Sequence, residues 1–120
     1  MYQPAENGRA MGSPTTMTTE ELLQQIKIRL QSAHGDRLRG VVLYGSLARG
    51  DAHLESDVDI LVLLDGNVEY GRDLLTNLEA LYPLALEIGR RISAKPAPLD
   101  EYETAECPLY HHVREEGIAT

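Results

Sequence analysis

The stretch that decides the fold is VVLYGSLARGDAHLESDVDILVLLDG, residues 41–66. It contains two apolar runs of strand length, separated by a polar segment that begins with Gly45-Ser46 and ends at Asp57 and Asp59. Short apolar runs bounded by turn residues predict buried β-strands. If the two strands are antiparallel neighbours, the end of the first lies beside the start of the second. The Gly-Ser pair would then lie next to the two aspartates.

Asp57 and Asp59 are expected to point to the same side, because side chains alternate along a strand. Two ionised carboxylates this close repel each other, and burial raises the cost. A divalent cation relieves both effects, and Mg²⁺ typically takes one or two protein carboxylates and leaves positions for phosphate oxygens. The spacing therefore predicts a Mg²⁺ site. A simpler interpretation makes Asp57 a loop residue and Asp59 a solvent-facing edge residue.

The segment after the first strand carries groups that suit a nucleoside triphosphate. Gly45 lets the backbone approach phosphate closely, and the Ser46 hydroxyl and nearby N–H groups can donate to phosphate oxygens. The letters SLARG predict a short helical turn, with Arg49 placed as a phosphate clamp. Ser46 also suits a helix N-cap. An ion pair of Arg49 with Asp51 or Glu55 is nearly as good an interpretation of that residue.

The rest of the chain completes the order helix, strand, strand, helix, strand, helix. A capping box at Thr18 and Glu21 and a stop at His34-Gly35 bound the first helix. A second helix begins at about Glu69, and Pro83 should kink or break it. The letters RRISAKPAPLD predict the third strand, and a last helix has Pro108 near its first turn and Gly117 after its end. The two prolines of the third strand suit a sheet edge or a strand end. The predicted fold is α/β (α+β), a small mixed sheet flanked by helices.

Composition limits the class of protein. The chain has 120 residues, a formal net charge of -8 and one cysteine. This length predicts one domain at 18–120, preceded by a flexible tail at 1–17 that is rich in Gly, Pro, Ser and Thr. The acidic balance argues against direct nucleic-acid binding, and the single cysteine excludes an intrachain disulfide. No apolar run has the length of a membrane span, so we expect a cytoplasmic protein.

The pattern Gly-Ser, ten residues, then Asp57-Val58-Asp59, with Arg49 in the gap, resembles the DNA polymerase beta superfamily of nucleotidyltransferases. Within it the chain is most similar to the minimal nucleotidyltransferases, over most of residues 19–118. The resemblance implies a polymerase-beta-type fold, ATP as substrate, a triphosphate held by Gly45 and Ser46, and Mg²⁺ held by the two aspartates. Arg49 matches a frequent position of the motif.

Members of this group commonly act beside a helical partner of the HEPN class, an RNase toxin. Some transfer AMP from ATP to a tyrosine of that partner and silence it, so the resemblance implies an antitoxin. One feature departs from the family pattern. The superfamily usually has a third carboxylate on the next strand, where this chain has Ser93, and neither Glu87 nor Asp100 can be assigned to that role. A general base typically contributes a factor of about a hundred or more, so its loss predicts a slow enzyme, an unusual acceptor or an inactive protein.

Two rival functions therefore stay open. One is an inactive antitoxin that neutralises its partner by binding alone, and the other is a nucleotidyltransferase for a small molecule. Several other residues have simple interpretations. Solvated charge is expected at Arg90-Arg91, surface or partner contact at His111-His112, packing at Tyr70, Tyr82, Tyr102 and Tyr110, and a core position for the Leu-rich helix from about Arg72.

Overall fold

A computed structural model describes residues 17–50, 56–104 and 106–120. The elements in chain order are α1 (Thr19–His34), a 3₁₀ turn (Gly35–Arg37), β1 (Leu38–Tyr44), α2 (Ser46–Arg49), β2 (Val58–Leu64), α3 (Tyr70–Ile88), β3 (Ile92–Pro98), α4 (Leu99–Thr104), α5 (Pro108–Glu116) and β4 (Ile118–Ala119). The strands form one sheet in the order β3-β2-β1-β4. β1 is antiparallel to β2 and β4, while β2 and β3 are parallel. The predicted mixed α/β fold is confirmed.

The pairing of β1 with β2 has the register that the sequence predicted. Tyr44, the last residue of β1, is paired with Asp59 near the start of β2. Every β2 residue except Asp59 is buried, because both faces of this central strand are covered. The start of the polar segment after β1 is therefore held at one end of the sheet, beside Asp59 of β2.

One face of the sheet is covered by α1 and α3, which bury the larger core. The predicted capping box begins α1, since the Thr18 hydroxyl accepts from the Glu21 N–H at 3.1 Å and the Glu21 carboxylate accepts from the Thr18 N–H at 2.9 Å. Gly35, with φ of 63°, ends the helix as predicted. Met17, the last residue assigned to the tail, packs against this core, and the rest of the tail lies outside the described residues.

The helix α3 runs through Pro83, so of the two predicted outcomes the break is wrong and the kink stays a prediction. A proline inside a helix costs about 3 kcal/mol or more. Pro83 lies on the exposed side of α3, where water can satisfy the carbonyl that loses its partner. Leu81, Leu84 and Ile88 are buried around it, and each contributes about 1.5–3 kcal/mol. Their burial outweighs the cost of the proline.

The strand β3 lies at the edge of the sheet, as its prolines predicted. The Arg91 carbonyl accepts from the Val58 N–H at 2.8 Å. The main-chain N–H and C=O groups of Arg91 and of every second residue after it therefore point toward β2. Pro96 and Pro98 lie at the alternate positions, whose main-chain groups point away from β2. Their missing N–H groups therefore cost no hydrogen bond of the sheet. The main-chain groups of Ala94 also point away from β2, and its carbonyl accepts from the Asn77 side-chain amide of α3 at 2.9 Å.

The second face of the sheet is covered by α4 and α5, which surround a smaller cluster. Its buried members are Val42, Tyr44, Leu61, Leu63, Ala97 and Val113. Tyr102 and Tyr110 pack against this cluster, as predicted for these two tyrosines. Their rings contact each other edge to face, with 5.8 Å between the ring centroids. In the described ranges, no helix is long and apolar enough to cross a membrane.

Two short elements, α4 and β4, were not predicted from the sequence. Gly117 makes the turn between α5 and β4 in close contact with its surroundings. A Cβ at this position would overlap the Val113 carbonyl oxygen and the Val42 side chain. The two residues of β4 then pair with β1 and bring the end of the chain back to the sheet.

A partly buried ion pair joins the 3₁₀ turn to α3. The Nη1 and Nη2 atoms of Arg37 donate to the Asp73 carboxylate, at 3.0 and 3.1 Å, and the Glu69 N–H donates to it at 3.2 Å. Asp73 is 4% exposed. The hydrogen bonds from Arg37 outweigh desolvation and hold the pKa of Asp73 below its ordinary value.

Replacing Asp73 by asparagine is expected to lower the free energy of unfolding at neutral pH by about 1–2 kcal/mol. The expected loss is modest because the Arg37 side chain is 40% exposed and stays partly solvated. A depressed carboxyl pKa contributes stability above the ordinary value of 3.8 and loses it as the pH falls through the lowered pKa. Urea unfolding between pH 7 and pH 2 measures this slope. The variant should flatten it, whereas Asp36→Asn, at an exposed position, should not.

Candidate functional site

The candidate site lies where β1 ends and β2 begins. Gly45 has φ of 79° and turns the chain from β1 into α2. Its Cα lies against the carboxylate of Asp59, so that an added Cβ would be 2.6 Å from the Asp59 Oδ2 atom. Only glycine combines this φ with so close an approach. The predicted neighbourhood of the Gly-Ser pair and the aspartates is confirmed for Gly45 and Asp59.

Asp59 is half-buried and Asp57, two residues earlier, is exposed. Desolvation raises the pKa of Asp59, and the charge of Asp57 raises it further, while Lys95 and Arg49 oppose the shift. The two carboxylates thus destabilise each other in their ionised forms. This donor set fits a divalent cation, which would stabilise both charges and leave most of its coordination positions open. The described residues contain no cluster of three or more His, Cys, Asp or Glu side chains that could hold a metal ion.

The segment carrying Asp57 is anchored by the residues before β3. The Arg90 guanidinium Nε donates to the Ser56 carbonyl at 3.1 Å, and the Val58 N–H donates to the Arg91 carbonyl at 2.8 Å. The prediction that Arg90 is simply solvated is therefore wrong, since its side chain holds the backbone next to Asp57. Arg91 is exposed, as predicted. Two adjacent arginines give no sequence signal that distinguishes these roles.

The helical turn predicted for SLARG is confirmed as α2. Gly45 occupies the N-cap position, Ser46 is the first helical residue and α2 has no side-chain capping bond. The prediction of Ser46 as the N-cap is therefore wrong by one residue, because the turn needs the positive φ of glycine at that position.

Arg49 and the last helix meet beside the site. Arg49 Nη1 lies 3.9 Å from the Glu116 carboxylate of α5, which also lies 3.4 Å from His112 Nε2. The alternative ion pair of Arg49 with Asp51 or Glu55 falls outside the described residues. His112 is at the surface as predicted, its side chain 50% exposed.

The third strand places Ser93 directly beside Asp59 in the parallel ladder. Glu87 lies on α3, 4.0 Å from Arg29, and Asp100 lies on α4, beyond the opposite end of β3. Neither carboxylate joins the site. Lys95 lies on the same face of β3 as Ser93, and its charge acts on Asp59. Sequence reasoning missed this lysine, although its spacing of two from Ser93 was a usable signal.

A family model described as the nucleotidyltransferase domain matches residues 23–109, which include Gly45, Ser46, Arg49 and both aspartates but not His112 or Glu116. The chain belongs to the nucleotidyltransferase family. It is therefore a nucleotidyltransferase, and the resemblance in its Gly-Ser and Asp-x-Asp motif is confirmed at the level of the family.

Two curated relatives of this nucleotidyltransferase come from Methanocaldococcus jannaschii, and each is named "Putative protein adenylyltransferase". The first is 36% identical over 70 residues, which are 58% of this chain and 70% of the relative. The second is 43% identical over 44 residues, 37% of this chain and 44% of the relative. A crystal structure of a "putative nucleotidyltransferase" from Sulfolobus solfataricus shares the fold, with a TM-score of 0.51 and 18% identity over 93% of this chain and 90% of that one.

Tyrosines of the nucleotidyltransferase divide between packing and exposure. Tyr44 is buried beside Asp59, and burial followed by the charge of Asp59 raises the pKa of its phenol. Tyr70 and Tyr82 are 53% and 58% exposed, so the prediction that they are packing residues is wrong. Three leucines of α3 share this exposure: Leu75, Leu78 and Leu86, at 53%, 56% and 64%.

Proposed function

We propose that the protein transfers AMP from ATP to a hydroxyl group of another protein. In this proposal the Asp57 and Asp59 carboxylates hold a divalent metal, Mg²⁺ by preference, while Gly45, Ser46 and Arg49 hold the triphosphate. The observation that carries it is the contact between Gly45 and the Asp59 carboxylate. This contact supports a site in which phosphates on the glycine backbone meet a metal on the aspartates. With ATP as the donor, the proposal places the reaction in the cytoplasm.

The reaction would be a displacement at the α-phosphorus. The acceptor oxygen forms a bond to that phosphorus, the bond to the bridging oxygen breaks, pyrophosphate leaves and the hydroxyl proton is released. A metal at Asp57 and Asp59 would neutralise the charge that develops on the phosphate oxygens. The protein residues position the nucleotide, which is the larger part of catalysis in phosphoryl transfer.

Ser46 and Arg49 are proposed to fix the triphosphate beside this metal site. The Ser46 hydroxyl supplies a donor one residue after the Gly45 approach, and the Arg49 guanidinium supplies charge-assisted donors from the last position of α2. The Glu116 carboxylate, 3.9 Å from Arg49, is an anionic partner that orients the guanidinium. The charge of Arg49 acts to lower the pKa of Asp59, which supports a common site for the two groups.

The acceptor is proposed to be a protein, and first of all a tyrosine of a HEPN-type toxin, with the chain acting as antitoxin. Support for a protein acceptor comes from the names of the two relatives. An exposed apolar stripe on α3, formed by Leu75, Leu78, Tyr82 and Leu86, supports a protein partner as well. Contiguous exposed apolar surface on a small protein commonly marks an interaction site.

A specific observation favours a second candidate, an antitoxin that binds without catalysis. Ser93 lies beside Asp59 where a third carboxylate would be within reach, and the described residues offer no other carboxylate there. Without a general base, transfer is expected to be slower by a factor of about a hundred or more. The two candidates differ in whether the partner gains mass.

Incubation with ATP and Mg²⁺, with and without the protein encoded by the neighbouring gene, tests the proposal by intact-mass measurement. We expect one or more AMP additions on the partner with the wild type and none with the Asp57→Ala/Asp59→Ala double variant. Loss of both carboxylates removes the metal site while leaving the partner surface on α3 intact. If no AMP is added and a complex forms equally well with both proteins, catalysis is excluded and the binding antitoxin remains. If neither transfer nor a complex is seen, this protein is excluded as the acceptor and as the partner.

A further inference from the structure

Lys95 lies on the site face of β3, at a position that the motif does not include. It is half-buried and paired in the ladder with Leu61, two residues beyond the pair of Ser93 with Asp59. Ala97, two residues further along the same face, is fully buried in the cluster under α4 and α5. Lys95 therefore stands between the covered part of this face and its open end, where Asp59 lies.

The charges around Asp59 form a pattern across the sheet. β2 carries Asp59 and directly follows Asp57, α2 follows the neighbouring strand β1 and carries Arg49, and β3 on the opposite side carries Lys95. Both cations act on the Asp59 carboxylate. The aspartates are thus flanked by a cation on each side. In the described part of the chain, Lys95 makes no hydrogen bond and no ion pair, so its ammonium donors are available to a ligand.

We propose that Lys95 binds the triphosphate of the nucleotide, as the second cation of the site on the side opposite Arg49. This inference rests on the proposed function. A metal-bound triphosphate carries anionic oxygens on both sides of the metal, and a single guanidinium on the α2 side leaves those toward β3 without a partner. The Lys95 ammonium, a flexible point charge with three donors, suits that position. It contacts the phosphates in the ground state as well as during transfer.

A simpler role for Lys95 is protection of the sheet edge, because charged side chains on edge strands discourage pairing with other chains. That role makes no use of the nucleotide. The two roles therefore differ in one respect, namely whether a bound nucleotide shields the ammonium group.

The chain has two lysines, Lys27 and Lys95, so each can be followed separately. Lys27 lies on α1, which covers the opposite face of the sheet, and is similarly half-buried. Reductive methylation of the full chain, with mass spectrometry of the peptides, measures the reactivity of both amines. We expect a non-hydrolysable ATP analogue with Mg²⁺ to slow the labelling of Lys95 at least several-fold and to leave Lys27 unchanged.

Calorimetric binding of the same analogue provides the second measurement. Lys95→Met is expected to raise the Kd for the analogue, and the KM for ATP, by about ten- to a hundred-fold, the range of one charge-assisted hydrogen bond. Lys27→Met removes the same charge and should leave both unchanged. Rescue by Lys95→Arg would support a phosphate contact, since the cation is kept. Thermal unfolding verifies that the variants are folded.

The outcomes separate the inference from the proposed function. If the analogue binds to the wild type but Lys95 is labelled equally fast with and without it, the inference is overturned and the proposed function stands. If the analogue binds equally well to wild type and Lys95→Met, the inference is also overturned. A wild type that binds no analogue overturns the proposed function, and the role of Lys95 with it.

Discussion

Asp59→Asn is expected to lower the rate of nucleotidyl transfer by about a thousand-fold or more. Asparagine keeps the shape of the side chain and removes the anionic oxygen that would bind the metal. Losing the metal forfeits several kcal/mol of transition-state stabilisation, and every 1.36 kcal/mol is a factor of about ten in rate. Single-turnover transfer from ATP, followed by mass spectrometry of the acceptor, measures the loss. Asp65→Asn, just after the far end of β2, is the matched control, because Asp65 is exposed and its carboxylate lies 3.6 Å from Arg39 at the surface.

Stability is expected to change in the opposite direction. The pKa of Asp59 is raised in the folded state, first by desolvation and then by Asp57, so the folded protein holds this proton more tightly than the unfolded chain. Stability from this residue is therefore present below the ordinary value of 3.8 and is lost as the pH rises through the raised pKa. At neutral pH the neutral asparagine avoids that loss. We expect Asp59→Asn to raise the unfolding midpoint in metal-free buffer, or to leave it unchanged.

An inactive protein that is at least as stable as the wild type would identify Asp59 as a residue kept for chemistry at some cost in stability. Two results would contradict this reasoning. Full activity of Asp59→Asn would exclude a metal at the aspartates, and a large drop in the unfolding midpoint would make the carboxylate a structural group.

Gly45→Ala is expected to have the second-largest effect, on activity and stability together. At φ of 79° and ψ of −158° the backbone of Gly45 lies in a region almost confined to glycine, where another residue costs about 1–3 kcal/mol, and the new Cβ would lie 2.6 Å from the Asp59 carboxylate. The carboxylate has to move, so the metal and the phosphates lose their common geometry. Misplacement by about 1 Å can cost about a hundred-fold in rate, and we expect at least that loss, together with a destabilisation of about 1–3 kcal/mol.

Gly66 provides an unusually close control for this prediction. It has the same φ of 79°, and a Cβ built on it meets nothing within 4 Å. Gly66→Ala should therefore carry the strain of a positive φ without a close contact, and it should keep wild-type transfer. Urea unfolding and transfer assays on both variants separate strain from contact. Equal activity of the two alanine variants would mean that the approach of Gly45 to Asp59 is not needed for the reaction.

The central part of the fold was predictable because it depends on local patterns. Two apolar runs with polar residues between them predicted β1, β2 and their antiparallel pairing, and the same register predicted the contact of Gly45 with Asp59. The capping box of α1 and the edge position of β3 followed from single residues with strong backbone preferences.

What could not be predicted depends on contacts between distant parts of the chain. Pro83 alone indicates a helix end, and only the burial of Leu81, Leu84 and Ile88 against the sheet keeps α3 continuous. The two-residue strand β4 exists because Gly117 allows α5 and β1 to come close. A segment of two residues carries no periodicity, so no sequence pattern could predict this strand.

The site was predicted in part for the same reason. Gly45, Ser46, Arg49, Asp57 and Asp59 are close in sequence and form a recognisable motif. Arg90 and Lys95 enter the surroundings of the aspartates only through the parallel pairing of β3 with β2, which requires the α3 crossover. Such crossover partners lie dozens of residues from the motif, so the spacing within the motif does not identify them, and only the expected place of Ser93 pointed to Lys95.

The outward-facing prolines of β3 bear on how this protein can be recognised and how it avoids aggregation. A strand added at that edge would need main-chain N–H donors from Ile92, Ala94, Pro96 and Pro98, and the two prolines have no N–H group. The Ala94 carbonyl is already engaged by Asn77. The edge is therefore a poor template for a foreign strand, whether from another protein or from a misfolded copy. Binding there must depend on the identity of side chains, which is specific to the right partner, and not on the backbone, which every polypeptide shares.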